Sequence, residues 1–140
     1  DAPAEDVENL YKFGEQIGLA FQLQDDYLDV YGDPKVFGKK IGGDIICNKK
    51  TYMLINAFNK ANARQRKELE KWIGCENFNH EEKVATVTEL YNSIGVDKLA
   101  IERINYYFDE ANKYIAAVNL PDERKAELLA YAQKMLHRKW

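Results

Sequence analysis

The stretch Phe21-Gln22-Leu23-Gln24-Asp25-Asp26-Tyr27-Leu28-Asp29-Val30-Tyr31-Gly32-Asp33 decides how the whole chain is read. It closes a proline-free run, 6–31, in which Val7, Leu10, Gly14, Ile17, Phe21 and Leu28 recur at steps of three, four or seven. That spacing predicts one long helix, because residues three and four apart share a helical face. Pro3 and Asp6 suit its start, and Gly32-Asp33-Pro34 its stop. With Phe21 as reference, Ile17, Gly14, Gly18 and Leu28 fall within about 60° of it on a helical wheel. Asp25 lands inside this stripe, Gln22 and Asp29 at its edge, and Asp26 further round. Gly14 and Gly18 read as points of close helix packing.

Asp25 and Asp29 are one turn apart, so their carboxylates are neighbours that repel. A hard divalent cation such as Mg2+ would relieve this, since carboxylate oxygens are its preferred protein ligands. Mg2+ rarely takes an all-protein cage; it keeps waters and shares its shell with phosphate oxygens. The competing reading is a solvated acidic face. Two features weigh against it. No Lys or Arg interrupts the run between Gly14 and Gly32, and apolar residues flank the motif on both sides.

Working outward, the rest of the chain also reads as helix. One helix is expected from Asp44 as N-cap to about residue 62, carrying Met53, Leu54, Ala57 and Phe58. Others are expected at 64–73, from near His80 to Gly95, at 96–119, and from Pro121 to the end. No strand, repeat or linker is visible. The fold class is therefore all-α, a helical bundle forming a single domain over 1–140.

The net charge of −3 and the scattered Lys and Arg give no basic stripe for nucleic acid. No apolar run approaches the ~20 residues that a membrane span needs. Cys47 and Cys75 lack any metal-ligand spacing and read as small buried hydrophobes in a reducing compartment, so a cytoplasmic location is expected.

After the acidic helix comes a loop rich in glycine and lysine. It holds Gly38-Lys39, Gly42-Gly43-Asp44 and then Lys49 and Thr51. The glycines permit close backbone approach to a ligand, and the lysines are point charges suited to phosphate. Taken in order, these elements and the segment from Phe21 to Asp33 resemble the polyprenyl synthetase family, the trans-isoprenyl diphosphate synthases of geranyl, farnesyl and geranylgeranyl type. They match the family's second aspartate-rich motif and its downstream Gly-Lys and Lys-Thr elements.

The resemblance implies the C-terminal half of an isoprenoid synthase fold and a prenyltransferase of isoprenoid biosynthesis. Its substrates would be an allylic diphosphate and isopentenyl diphosphate, its cofactor Mg2+, and its assembly a homodimer. Asp25 would be the leading metal ligand and Asp29 its support, with Asp44 reached through water and Asp26 contributing little. Lys39 and Lys49 would hold the allylic diphosphate during catalysis, and Phe21 and Gln22 would face the prenyl chain. Thr51 would stand near the diphosphate or inside a helix. Arg138 and Lys139 resemble the basic tail of some members, against the plainer reading of a solvated end.

The family's first aspartate-rich motif and its isopentenyl diphosphate site are not in this sequence. The chain alone is therefore expected to be inactive. Two other readings compete. A class I terpene synthase would need a second metal motif of Asn/Asp, Ser/Thr and Glu, which is not found. A non-catalytic helical regulatory subunit would not need to keep Asp25, Asp29, Lys39 and Lys49.

Overall fold

A computed structural model describes residues 4–33 and 41–137. Lys39, Gly38, Arg138 and Lys139, all singled out above, lie outside the described residues. The described chain forms helices α1 (Ala4–Tyr31), α2 (Gly43–Ile46), α3 (Tyr52–Lys60), α4 (Ala63–Gly74), α5 (His80–Ile94), α6 (Val96–Ala116) and α7 (Asp122–His137). Among the described residues there is no strand, so the all-α expectation holds. No helix of the described residues is long and apolar enough to cross a membrane.

The chain divides into two compact units, one drawn from 1–24 with 101–140 and one from 25–100. Both α1 and α6 contribute to each. In the first unit, Ile104, Ala111, Ile115 and Val118 are buried at steps of seven, four and three. Asp6 is buried too, and its Oδ1 accepts the Asn119 amide hydrogen at 3.2 Å, tying the start of α1 to the segment after α6. The Lys125 ammonium donates to the Ala116 carbonyl at 3.0 Å, satisfying one of the acceptors left over at the end of α6.

The core of the second unit holds Val30, Ile45, Met53, Leu54, Ala57, Leu69, Trp72, Val87, Tyr91, Val96 and Ala100. Its helix ends are set by local chemistry. Asn62 opens α4 with a reciprocal capping box: its Oδ1 accepts from the Gln65 amide at 2.8 Å and Gln65 Oε1 accepts from the Asn62 amide at 2.9 Å. Asn79 opens α5 by accepting from the Glu82 amide. Gly95 closes it at φ 92°, a left-handed conformation that costs glycine little.

Three expectations are corrected: the extent of the second helix, its N-cap and the burial of Cys47. The helix expected from Asp44 to about residue 62 is two helices. α2 is a single turn, ended where Asn48 adopts φ 57°, and Lys49, Lys50 and Thr51 are non-helical. Its N-cap is Gly42 at φ 95°, which places Asp44 in the first turn, while Thr51 is the N-cap of α3, its Oγ1 accepting from the Leu54 amide at 3.2 Å. Cys47 is exposed, because the one-turn α2 turns it away from the core side on which Ile45 is buried. Gly14 and Gly18 are exposed, and among the described residues nothing lies within 4 Å of where a Cβ would stand on either, so the packing partner their spacing suggests is not among those residues. The stripe they belong to is only partly buried: Leu28 is buried, whereas Val7 is 56% exposed, and the buried Ala20 and Leu23 lie outside the stripe.

Candidate active site

Helix α1 delivers Asp25, Asp26 and Asp29 on its last two turns. Asp25 is exposed; Asp26 and Asp29 are half-buried. Leu28 and Val30 are buried and fix the roll of this helix end, leaving the acids on the side that faces the following segment. That segment returns at once. The Gly42 amide donates to the Asp29 carbonyl at 2.7 Å, and the Asp44 amide donates to Asp29 Oδ2 at 2.8 Å. Gly42 is required for this approach. It is buried, its φ is left-handed, and a Cβ there would stand 2.6 Å from a methyl carbon of Val84.

Asp29 thus does for α2 what its N-cap glycine cannot do, supplying a side-chain acceptor at the helix start. Four residues on, the left-handed turn at Asn48 sends Lys49 back toward α1. The Lys49 amide donates to the Asp44 carbonyl at 2.9 Å. Its ammonium lies 3.1 Å from Asp26 Oδ1 and 4.0 Å from Asp44 Oδ2. The hydrogen bond to Asp26, then the charges of Asp26, Asp44 and Asp29, hold the Lys49 ammonium above the usual lysine range.

Four of the expected residues, Asp26, Asp29, Asp44 and Lys49, therefore meet directly, and Asp25 adjoins them on α1. Asp26 is better placed than its wheel position suggests, since it makes the shortest ion pair of Lys49. Phe21 (half-buried) and Gln22 (exposed) stand on α1 one turn before Asp25 and Asp26, within the other compact unit. Among the described residues, no three His, Cys, Asp or Glu side chains group to hold a metal by themselves. An all-oxygen set of a few carboxylates still suits Mg2+, which needs only one or two when phosphate and water complete its shell.

Two residues of this region escaped the sequence reading. Asn48 adopts positive φ, which asparagine tolerates better than most residues. Lys83 on α5 is only 1% exposed, and its Nζ donates to Asn48 Oδ1 at 2.6 Å and to the Ile46 carbonyl at 3.3 Å. Its signal was its spacing: Lys83, Val87 and Tyr91 fall four apart on one buried face.

The polyprenyl synthetase family model matches residues 1–91. The chain belongs to the polyprenyl synthetase family. It is 38% identical over 98 residues to a short chain isoprenyl diphosphate synthase of Methanocaldococcus jannaschii, a match covering 70% of this chain and 30% of that protein. A crystal structure of a geranylgeranyl pyrophosphate synthase superposes with a TM-score of 0.88 at 35% identity, over 99% of this chain and 43% of its own. Another, the Corynebacterium glutamicum enzyme complexed with isoprenyl diphosphate and magnesium, gives 0.83 at 30%, over 98% of this chain and 39% of its own. The chain thus spans under a third of that curated relative.

Proposed function

We propose that the full-length protein is a prenyltransferase of isoprenoid biosynthesis that condenses an allylic diphosphate with isopentenyl diphosphate. In this reading residues 1–140 form a single all-helical domain, the C-terminal portion of a polyprenyl synthetase domain, and supply one wall of the active site. The continuity of α1 and α6 through both compact units supports treating them as one domain. The observation that carries the functional reading is the Lys49 ammonium set against Asp26 and Asp44 beside an acid-bearing helix end.

Asp25 and Asp29 would hold Mg2+, with Asp26 and Asp44 close by. When bound, the metal would stabilise the charge that grows on the departing diphosphate. The chain's own residues do the rest. Asp26 holds the Lys49 ammonium in position, so it is already in place for an oxygen of the allylic diphosphate. Lys39 would give a second such contact. Phe21 and Gln22, one turn earlier on α1, would line the path of the prenyl chain. A homodimer is proposed on the family resemblance.

The 140-residue chain by itself is expected to turn over neither substrate. In the full-length protein, Asp25→Ala should lower turnover of an allylic and isopentenyl diphosphate pair by about 10²- to 10³-fold, the scale for losing one preorganised electrostatic group. Circular dichroism should be unchanged. Near-normal turnover in Asp25→Ala would return the acids to a solvated helix face.

A further inference from the structure

Lys83 occupies a position of α5 where an apolar residue would be expected. Val87 and Tyr91, one and two turns on, are both buried in the core. The ammonium lies 4.3 Å from the centre of the Phe78 ring. Burial disfavours its charged form and pushes its pKa down. A methionine would fill this volume without that penalty, so the cation must be explained by what it holds.

It holds the end of α2. Besides the Ile46 carbonyl it grips Asn48 Oδ1 at 2.6 Å, while the other end of the same amide donates from Nδ2 to the Ile73 carbonyl at 3.2 Å. Asn48 is thus fixed from α5 on one side and from the end of α4 on the other. Its φ of 57° is the one positive value at a non-glycine position among the described residues. The next residue is Lys49, whose ammonium reaches Asp26. Lys83 does not itself meet a substrate: the cavity that it borders with Asn48, Asp44 and Tyr91 is about 10 Å3, at the lower limit for one water.

We propose that Lys83 is a positioning residue for the diphosphate site, which holds Asn48 in its left-handed turn and thereby sets the Lys49 ammonium against Asp26. This rests on the reading of Lys49 as a diphosphate ligand. The relationship is one of placement: Lys83 fixes Asn48, Asn48 fixes the direction of the chain, and Lys49 makes the contact.

The test uses the full-length protein, with inorganic diphosphate and Mg2+ as the probe in titration calorimetry and with steady-state kinetics beside it. Lys83→Met should keep the fold and weaken diphosphate binding by about 10- to 100-fold, the range for losing a residue that orients a ligand-bearing one. KM for the allylic diphosphate should rise, and KM for isopentenyl diphosphate should stay unchanged. In a Lys49→Ala background, Lys83→Met should add no further loss, because the residue through which it acts is gone. Asn48→Gly permits the same φ but cuts the tether, and should weaken binding to a similar extent even if Lys83→Met folds poorly.

Unchanged diphosphate affinity in Asn48→Gly, or an equal loss from Lys83→Met with and without Lys49, would overturn the proposal. A different pattern marks failure of the underlying reading: Lys49→Ala and Asp25→Ala would then both bind diphosphate like the unsubstituted protein.

Discussion

Asp29 Oδ2 accepts the amide hydrogen of Asp44 at 2.8 Å, so a carboxylate on the last turn of α1 serves as the side-chain cap of α2. Asp29 also accepts from the Gly42 amide through its own carbonyl. The acid expected to support a metal is therefore also the fastener that holds the returning segment against the acidic helix. These two roles make different demands. Capping needs an oxygen acceptor, and metal binding needs the negative charge.

Substitution separates them. Asp29→Ala should cost about 0.5–2 kcal/mol of unfolding free energy, the usual range for losing an N-cap acceptor. Asp29→Asn keeps an acceptor oxygen and should recover most of that stability. It should still bind Mg2+ and diphosphate more weakly, because the charge is gone. Urea unfolding gives the first quantity and titration calorimetry the second. A stable Asp29→Asn with unchanged Mg2+-dependent affinity would reduce Asp29 to a cap.

Gly42 is the other half of that fastening. Its φ of 95° strains any residue with a Cβ, and the Cβ would meet two methyl carbons of Val84 at 2.6 and 2.8 Å. Gly42→Ala should therefore destabilise by about 2–5 kcal/mol, combining left-handed strain of roughly 1–2 with overpacking of roughly 1–3. Adding Val84→Ala should relieve the overpacking and leave the strain. A double variant no more stable than Gly42→Ala would show that the contact with Val84 contributes nothing.

What the sequence revealed of this region, and what it hid, follows from the range of the interactions involved. The ends of α5 were legible because Gly95 and the acids after His80 act within a turn of themselves. The break at Asn48 was not, because the groups that stabilise it, Lys83 and Ile73, lie 35 and 25 residues away. Asp25, Asp26 and Asp29 were found from a motif. The wheel placed Asp26 at a disadvantage because it knew only α1, whereas its partner Lys49 arrives on the segment after α2. Gly14 and Gly18 have the spacing of a packing seam, but a spacing does not name its partner, and no described residue comes within 4 Å of where a Cβ would stand on either.

Tyr91 predicts an alkaline loss of stability. Its side chain is buried beneath the site, and burial first, then the charge of Asp44, pushes the phenol well above its ordinary value of 10.0. The folded form therefore keeps its proton where the unfolded chain releases one, so the stabilisation is complete below pH 10.0 and falls as pH rises beyond it. The slope should approach about 1.4 kcal/mol per pH unit for this one proton. Lys83 acts in the opposite sense at lower pH: its depressed folded pKa makes stability rise with pH up to the ordinary lysine value of 10.5. Comparing Tyr91→Phe with the unsubstituted protein isolates the tyrosine. The phenylalanine variant should lose stability less steeply between pH 10 and 11 by denaturant unfolding, and equal slopes would sink the assignment.

Thr51 offers the sharpest separation of scaffold from site. The resemblance allowed it a place near the diphosphate, but its buried Oγ1 accepts from the Leu54 amide and so opens α3. The side chain of Lys49, two residues earlier, is the one that turns toward the acids. Thr51→Val keeps the shape and removes the acceptor, so it should cost about 0.5–2 kcal/mol of stability. Thr51→Ser keeps the acceptor and should lose little. If Thr51 acts only as a cap, both variants should bind inorganic diphosphate with unchanged affinity at temperatures where each is folded. Weaker binding by Thr51→Val but not by Thr51→Ser, with the helix content of both intact, would instead give the hydroxyl a direct part in holding the ligand.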